Sequence, residues 1–288
     1  MKYSTEKMDR YMTETFQEIL NNGAMSKNAR PHYESDGVEA NSKYITDVFM
    51  KFDLAKGELP IMSLRPIYVR KAIEEIAVIY QDQKHDTESF EARGVKWWAQ
   101  WAVDDRGHLG SAYGNTVRNY RLIDKLIEGF KKNPYNRRNI INLWQMDMVN
   151  KNKGLQPCAY ETIWDVREID EVMYLDLSLN QRSSDVAVAG SINTMQYVAL
   201  QMMVAKSLGW EVGTFSWHVM NIHLYDRNYT QAKEMIERYE SDSYAHCRDI
   251  EFFLDEDKGK DFYALDTSKF VFKGYKGISP QLTFDLAV

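Results

Sequence analysis

The stretch Leu155-Gln156-Pro157-Cys158-Ala159-Tyr160-Glu161-Thr162, with Gln181-Arg182-Ser183-Ser184-Asp185 downstream of it, decides how this chain is read. Between the two, Met173, Leu175, Leu177 and Leu179 alternate with Tyr174, Asp176 and Ser178, the period of a half-buried strand. Cys158 to Val166 forms the partner strand, connected across Arg167 to Glu171. This hairpin sets a thiol and an arginine on neighbouring strands of one sheet. A guanidinium beside a thiol favours the thiolate, which is the nucleophilic form. Taken alone, a single cysteine is more often a packed core thiol, so the rest of the chain must decide.

Outward from the hairpin, periodicity organises the chain. Residues 5 to 21 read as a helix with Tyr11, Met12, Phe16, Ile19 and Leu20 on one face. Ser35-Asp36-Gly37 is a turn and Tyr44 to Leu54 a strand. Pro66 to about Gln81 reads as a helix with proline near its start. Val117 to Phe130 is one amphipathic helix, ended by Asn133-Pro134. Asn139 to Trp144 is a strand. Asn193 to Leu208 is an apolar, central helix that stops at Gly209. Thr214 to Tyr225 is a strand, Tyr229 to Glu240 a helix, and the tail after Phe270 is strand-like. Strands and helices without regular βαβ alternation predict an α+β fold with a mixed sheet.

Composition narrows the class. The 288 residues show no linker, repeat or low-complexity segment, so one domain over 1–288 is expected. A formal charge of −6 gives no general footing for nucleic acid, so a phosphate site must rest on local arginines. Two cysteines make no disulfide framework, the first residues lack the apolar core of a signal peptide, and no run is long enough to span a membrane. A cytoplasmic location is expected.

Each candidate has a plain reading beside a functional one. Arg137-Arg138 reads as a solvated patch or as part of a phosphate clamp with Arg182 and Arg30, since guanidinium forks match phosphate oxygens. Asn193 reads as a helix cap or as a carboxamide that can both donate and accept. His223 and Tyr225 alternate on a strand and share a face. Glu75, beside Glu74, is either solvated or a carboxyl tuned by apolar surroundings.

In order, the chain carries Leu109-Gly110-Ser111-Ala112-Tyr113-Gly114, Asn133-Pro134-Tyr135-Asn136-Arg137-Arg138, Pro157-Cys158, Gln181 to Asp185, Asn193 with Tyr197, and His223-Leu224-Tyr225. In these six motifs, from about Met50 to Leu286-Ala287-Val288, it resembles thymidylate synthase of the folate-dependent, cysteine-nucleophile type. The likeness is closest to the Gram-positive branch, which carries Pro-Cys-x-Tyr-Glu-Thr. The resemblance implies a large mixed β-sheet flanked by helices, with sheets packed back to back in a homodimer with shared active sites. It implies deoxyuridylate and 5,10-methylenetetrahydrofolate as substrate and co-substrate, with no metal, membrane or nucleic acid required.

It also implies roles for residues. Cys158 is the nucleophile, and Glu75, Asn193, Tyr113, Asp185 and Arg182 complete the catalytic set. Arg30, Arg182, Gln181 and Ser183 bind nucleotide, with Arg137 and Arg138 reaching across the dimer. Asn193 reads the uracil edge, and His223 and Tyr225 hold the 3′-hydroxyl. Trp98, Trp101, Asp185, Ala189 and the Val288 carboxylate lie on the folate side. The chain departs from the family pattern at Val188-Ala189-Gly190-Ser191-Ile192, at Met220-Asn221-Ile222, at Ala159 where histidine is common, and at Arg65 where lysine is typical. A hydroxymethylase of the same fold remains an alternative, as does a non-catalytic binding protein.

Overall fold

The computed structural model describes residues 1–27 and 30–288. Its centre is a six-stranded mixed sheet against which eight helices are arranged, an α+β architecture as expected. In chain order the elements are α1 (Glu6–Asn22), β1 (Ala24–Met25), β2 (Ser42–Asp53), α2 (Val69–Tyr80), α3 (Thr87–Ala92), α4 (Gly114–Tyr120), α5 (Leu122–Lys132), β3 (Ile140–Asn142), α6 (Met146–Val149), β4 (Ala159–Ile169), β5 (Val172–Asp185), α7 (Gly190–Leu208), β6 (Glu211–Tyr225), α8 (Tyr229–Glu240), β7 (Glu251–Leu254) and β8 (Phe270–Lys273). The sheet runs β1-β2-β6-β5-β4-β3, and β7 and β8 form a separate pair.

The hairpin β4–β5 is longer than its apolar alternation predicts, because its turn is tighter. Asp170 and Glu171 both take positive φ, 51° and 63°, and a two-residue loop of that kind matches the twist of antiparallel strands. Arg167 to Ile169 therefore pair with Val172 to Tyr174 instead of forming the connection. β5 continues through the polar cluster to Asp185 and runs parallel to β6, with α7 crossing between them. The chain thus holds one βαβ unit that its strand spacing did not reveal.

α7 is apolar on every side, and such a helix is stable only when enclosed. It packs on α2 and on β5 and β6. Gln201 is buried on it and donates to Leu175 O (2.7 Å) and Thr214 O (3.1 Å), beside the irregularity between β5 and β6. The helix ends at Gly209, φ 80°, as expected, but it starts at Gly190 rather than at Asn193.

Two other boundaries differ. Pro66 stands three residues ahead of α2, which begins at Val69. The single helix expected over 117–130 is two, because Arg121 adopts left-handed backbone (φ 49°) and breaks the path between α4 and α5. The tail after β8 forms no regular strand. It lies instead against residues 32–34, with His32 N donating to Val288 O (3.0 Å), Val288 N to His32 O (2.9 Å) and Glu34 N to Leu286 O (2.9 Å).

α1 is anchored by a buried carboxylate. Asp9 Oδ2 accepts from Thr5 Oγ1 (2.7 Å), Ser63 Oγ (2.6 Å) and Tyr244 OH (2.9 Å), and Asp9 Oδ1 accepts from Ser63 N (2.5 Å). One side of the sheet is covered by this helical layer. The other presents Phe49, Ile140, Ile163 and Met220 to solvent, each more than 40% exposed.

Candidate active site

Cys158 sits immediately before β4, where Arg182 N on β5 donates to its carbonyl (2.9 Å). This backbone junction brings the guanidinium of Arg182 round the thiol. Arg182 Nη2 lies 3.5 Å from Cys158 Sγ and donates to Gln156 O (3.0 Å), while Nε donates to Pro157 O (2.9 Å). Its other side rests over the Trp144 ring at 5.7 Å. Five N–H groups in a rigid fork allow this, and the bonds to Gln156 O and Pro157 O hold the charge beside the sulfur.

The thiol is not a ready thiolate. Burial pushes Cys158 up, and Arg182 and then Arg30 pull it back without reversing the shift. The effect of the arginine has the expected sign, but desolvation outweighs it. Arg30, exposed in the segment before β2, is close enough to act on both Cys158 and Tyr225. Tyr113, at φ 48° ahead of α4, holds its hydroxyl 3.1 Å from Cys158 N and accepts from it.

Glu75 projects from the buried face of α2. Burial pushes its carboxyl up to about 7, partly offset by Trp97, Trp98 and Gln196. Trp97 Nε1 donates to Glu75 Oε2 at 2.7 Å. Sequence reading missed Trp97, since three tryptophans within five residues carry no mark of which one faces the acid. Glu74, its neighbour, points the other way into ion pairs with Arg93 and Arg70.

Asn193 is not a helix cap. It is the fourth residue of α7, its N–H bonds Ala189 O (2.8 Å), and Ala189 holds the cap position. Its carboxamide is free for other work. Asn193 Oδ1 accepts from Gln181 Nε2 (3.0 Å) and Asn193 Nδ2 donates to Gln196 Oε1 (3.1 Å). Gln181 Nε2 also reaches Ser183 O (3.3 Å). His223 and Tyr225 share a face of β6 with ring centroids 5.0 Å apart. Burial pushes His223 down to about 4, so it is neutral at pH 7, with Nδ1 3.0 Å from Asn221 Oδ1.

An aromatic wall stands beside this group. Trp98 stacks on Phe90 (5.0 Å) and meets Trp101, Tyr113 and the buried ring of His85 edge-on. Both His85 nitrogens and Trp98 Nε1 lack hydrogen-bond partners among the described residues. Asp185, at the end of β5, takes a long 3.4 Å bond from Val188 N, and burial pushes it up to about 7. Flat rings and a carboxyl short of partners fit a planar heterocycle with its own donors and acceptors, as a reduced pterin is. Ala189 stands at the head of α7 in the same segment, and Val288 ends the tail laid on residues 32–34. Arg65, unforeseen as a structural group, fixes this segment by donating to Ala187 O (2.9 Å) and Val188 O (2.7 Å).

Arg137 and Arg138 are not part of this cluster. Both are exposed, in the connection between α5 and β3. Among the described residues no group of three or more His, Cys, Asp or Glu is gathered for a metal ion.

Comparison with known proteins agrees with this geometry. A family model described as Thymidylate synthase matches residues 10–288. A thymidylate synthase of Lactococcus lactis subsp. lactis is 47% identical over 282 residues, 97% of this chain and 99% of the relative. One of Streptococcus gordonii is 44% identical over 283 residues, 98% and 99% of the two chains. The solved thermostable thymidylate synthase A from Bacillus subtilis superposes with a TM-score of 0.86 at 28% identity, over 97% of this chain and 99% of that one.

Proposed function

The chain belongs to the thymidylate synthase family, and we propose how its residues divide that family's work, the reductive methylation of deoxyuridylate to thymidylate. 5,10-Methylenetetrahydrofolate, bound as co-substrate, supplies both the one-carbon unit and the hydride and leaves as dihydrofolate. Cys158 loses its proton and adds to C6 of the uracil ring. Arg182, at 3.5 Å, stabilises the thiolate on the way to attack, and nucleotide phosphate would complete its pairing. Addition at C6 moves charge to O4 and makes C5 nucleophilic. Asn193 and the Glu75 region stabilise that charge. C5 bonds to the methylene carbon, water ordered by Tyr113 takes the C5 proton as the folate is eliminated, and hydride delivered to the resulting exocyclic methylene expels the Cys158 thiolate from C6. Gln181, Ser183, His223, Tyr225 and Arg30 hold base, sugar and phosphate. Trp98, Trp101, Asp185, Ala189 and Val288 bind the folate and exclude water.

The observation that carries this reading is the convergence on Cys158 of Arg182 from the adjacent strand and Tyr113 from the head of α4. The test is mass analysis of the nucleotide formed from deoxyuridylate and methylenetetrahydrofolate. Thymidylate supports the reading. A hydroxymethylated nucleotide would return the hydroxymethylase, which the relatives do not favour.

The second part of the proposal is a homodimer with shared sites. The sheet face opposite the helices exposes Phe49, Ile163 and Met220. Large apolar exposure on one face marks an association surface. Arg137 and Arg138, away from their own thiol, then reach the partner's nucleotide. The chain works as one catalytic domain. A cytoplasmic setting agrees with its two free thiols, and no helix among the described residues is long and apolar enough to cross a membrane.

A further inference from the structure

An amide has two ends that occupy nearly the same volume, so partners decide which is oxygen. In the row Trp217–Gln181–Asn193–Gln196 that choice is forced. Trp217 is fully buried on β6, and its indole N–H is a donor and nothing else. It donates to Gln181 Oε1 at 2.6 Å. The amino end of Gln181 must then face Asn193, where it meets Oδ1 at 3.0 Å. The amino end of Asn193 must in turn face Gln196 Oε1, at 3.1 Å. Gln196 Nε2 is left buried and unbonded, and it draws the Glu75 carboxyl toward its ionised, acceptor-only form. A donor-only group at one end dictates one direction to each amide that follows it.

We propose that Trp217, which stands outside the nucleotide site, determines pyrimidine selectivity by fixing the direction of the Asn193 carboxamide, with Gln181 as the positioning residue between them. This inference rests on Asn193 being the base reader. After its two lateral bonds, Asn193 keeps one lone pair on Oδ1 and one N–H on Nδ2. In the observed direction these answer the N3–H and O4 of uracil. Turned end for end, the same amide would offer N–H to N3 and oxygen to the amino group of cytosine. Asparagine as a residue type is therefore compatible with both bases, and the choice between them is made by the indole two links away.

The test is the ratio of deoxyuridylate to deoxycytidylate dissociation constants, measured by calorimetry on the intact protein, with thymidylate as a third ligand. In Gln181→Glu the residue can only accept, so it takes the indole N–H at one oxygen and demands the amino end of Asn193 at the other, which reverses the reader. The ratio should move toward deoxycytidylate by roughly tenfold or more, the scale of one buried unmatched polar pair. Thymidylate, which shares uracil's N3–H and O4 edge, should weaken together with deoxyuridylate. General loosening of the site would weaken all three. In Trp217→Phe the shortest bond that sets the direction is lost and only the longer one from Gln181 Nε2 to Ser183 O (3.3 Å) still favours it, so the ratio should narrow severalfold. A folded Gln181→Glu protein that keeps the wild-type ratio overturns the inference. If that variant does not fold, an unchanged ratio in Trp217→Phe overturns it instead. A wild-type protein with no preference for deoxyuridylate would overturn the base-reading role on which the inference rests.

Discussion

Arg182 Nη2 stands 3.5 Å from Cys158 Sγ while the same nitrogen donates to Gln156 O at 3.0 Å. The guanidinium is held by backbone carbonyls of the very segment that carries the thiol, so sulfur and charge keep their spacing when that segment moves. Burial nevertheless pushes the thiol up, and Arg182 with Arg30 offsets that shift only in part.

Cys158→Ser should lower turnover by at least about a thousandfold while leaving the fold and nucleotide binding intact, as read by steady-state kinetics and calorimetry. A serine hydroxyl beside the same guanidinium stays protonated at neutral pH, so residual activity near wild type would refute covalent attack. Cys247, whose Sγ lies 2.7 Å from Lys276 O and far from the motifs, should tolerate Cys247→Ala.

Mixing Arg138→Ala with Cys158→Ala protein, each inactive alone, should restore part of the activity. In a mixed dimer one site takes its thiol from the Arg138→Ala chain and its arginines from the Cys158→Ala chain, so that site is intact. Subunit exchange confirmed by mass spectrometry without recovery of activity would exclude a shared site.

Much of this arrangement is legible in the sequence, and the gaps have physical causes. α8 falls on its expected residues because its apolar stripe and ends are local signals. The break at Arg121 leaves no such signal, since arginine is an uncommon left-handed residue and nothing adjacent announces it. The apolar alternation of β5 stops at Leu179 although the strand runs on to Asp185, because Gln181 to Asp185 are polar for the site rather than for solvent. Trp97, Gln196 and Trp217 were invisible as functional residues for a different reason. Their parts depend on which atom meets which across α2, α7, β5 and β6, and periodicity reports only the face on which a residue lies.

Glu75→Gln should stabilise the protein in a pH-dependent way. An acid whose folded pKa is raised from 4.5 to about 7 costs the folded state nothing below pH 4.5. The cost grows as pH rises between the two values and is complete above about 7. Its size is on the order of 3 kcal/mol. Thermal melts should therefore show little gain for the glutamine variant at pH 4.5 and a clear rise in Tm at pH 8, together with severe loss of turnover. An equal shift at both pH values would show that Glu75 is not strained by burial.

Trp97→Phe removes the N–H that meets Glu75 Oε2 at 2.7 Å but keeps an aromatic ring in place. Loss of a hydrogen bond to the carboxylate favours its protonated form. The limb of the kcat–pH profile that Glu75 sets should move up by about one pH unit, with a smaller change in KM for deoxyuridylate. A profile displaced in height alone would assign Trp97 to packing.

The carboxylate of Asp9 has an evolutionary consequence. It is satisfied only jointly, by Thr5, Ser63 and Tyr244 from segments far apart in the chain. Losing one hydroxyl leaves a buried charge short of a partner, and losing the acid strands three hydroxyls and the Ser63 N–H at once. Any lineage that replaces this knot by apolar packing must pass through a weakened intermediate, so the four residues are expected to be inherited or lost as a set.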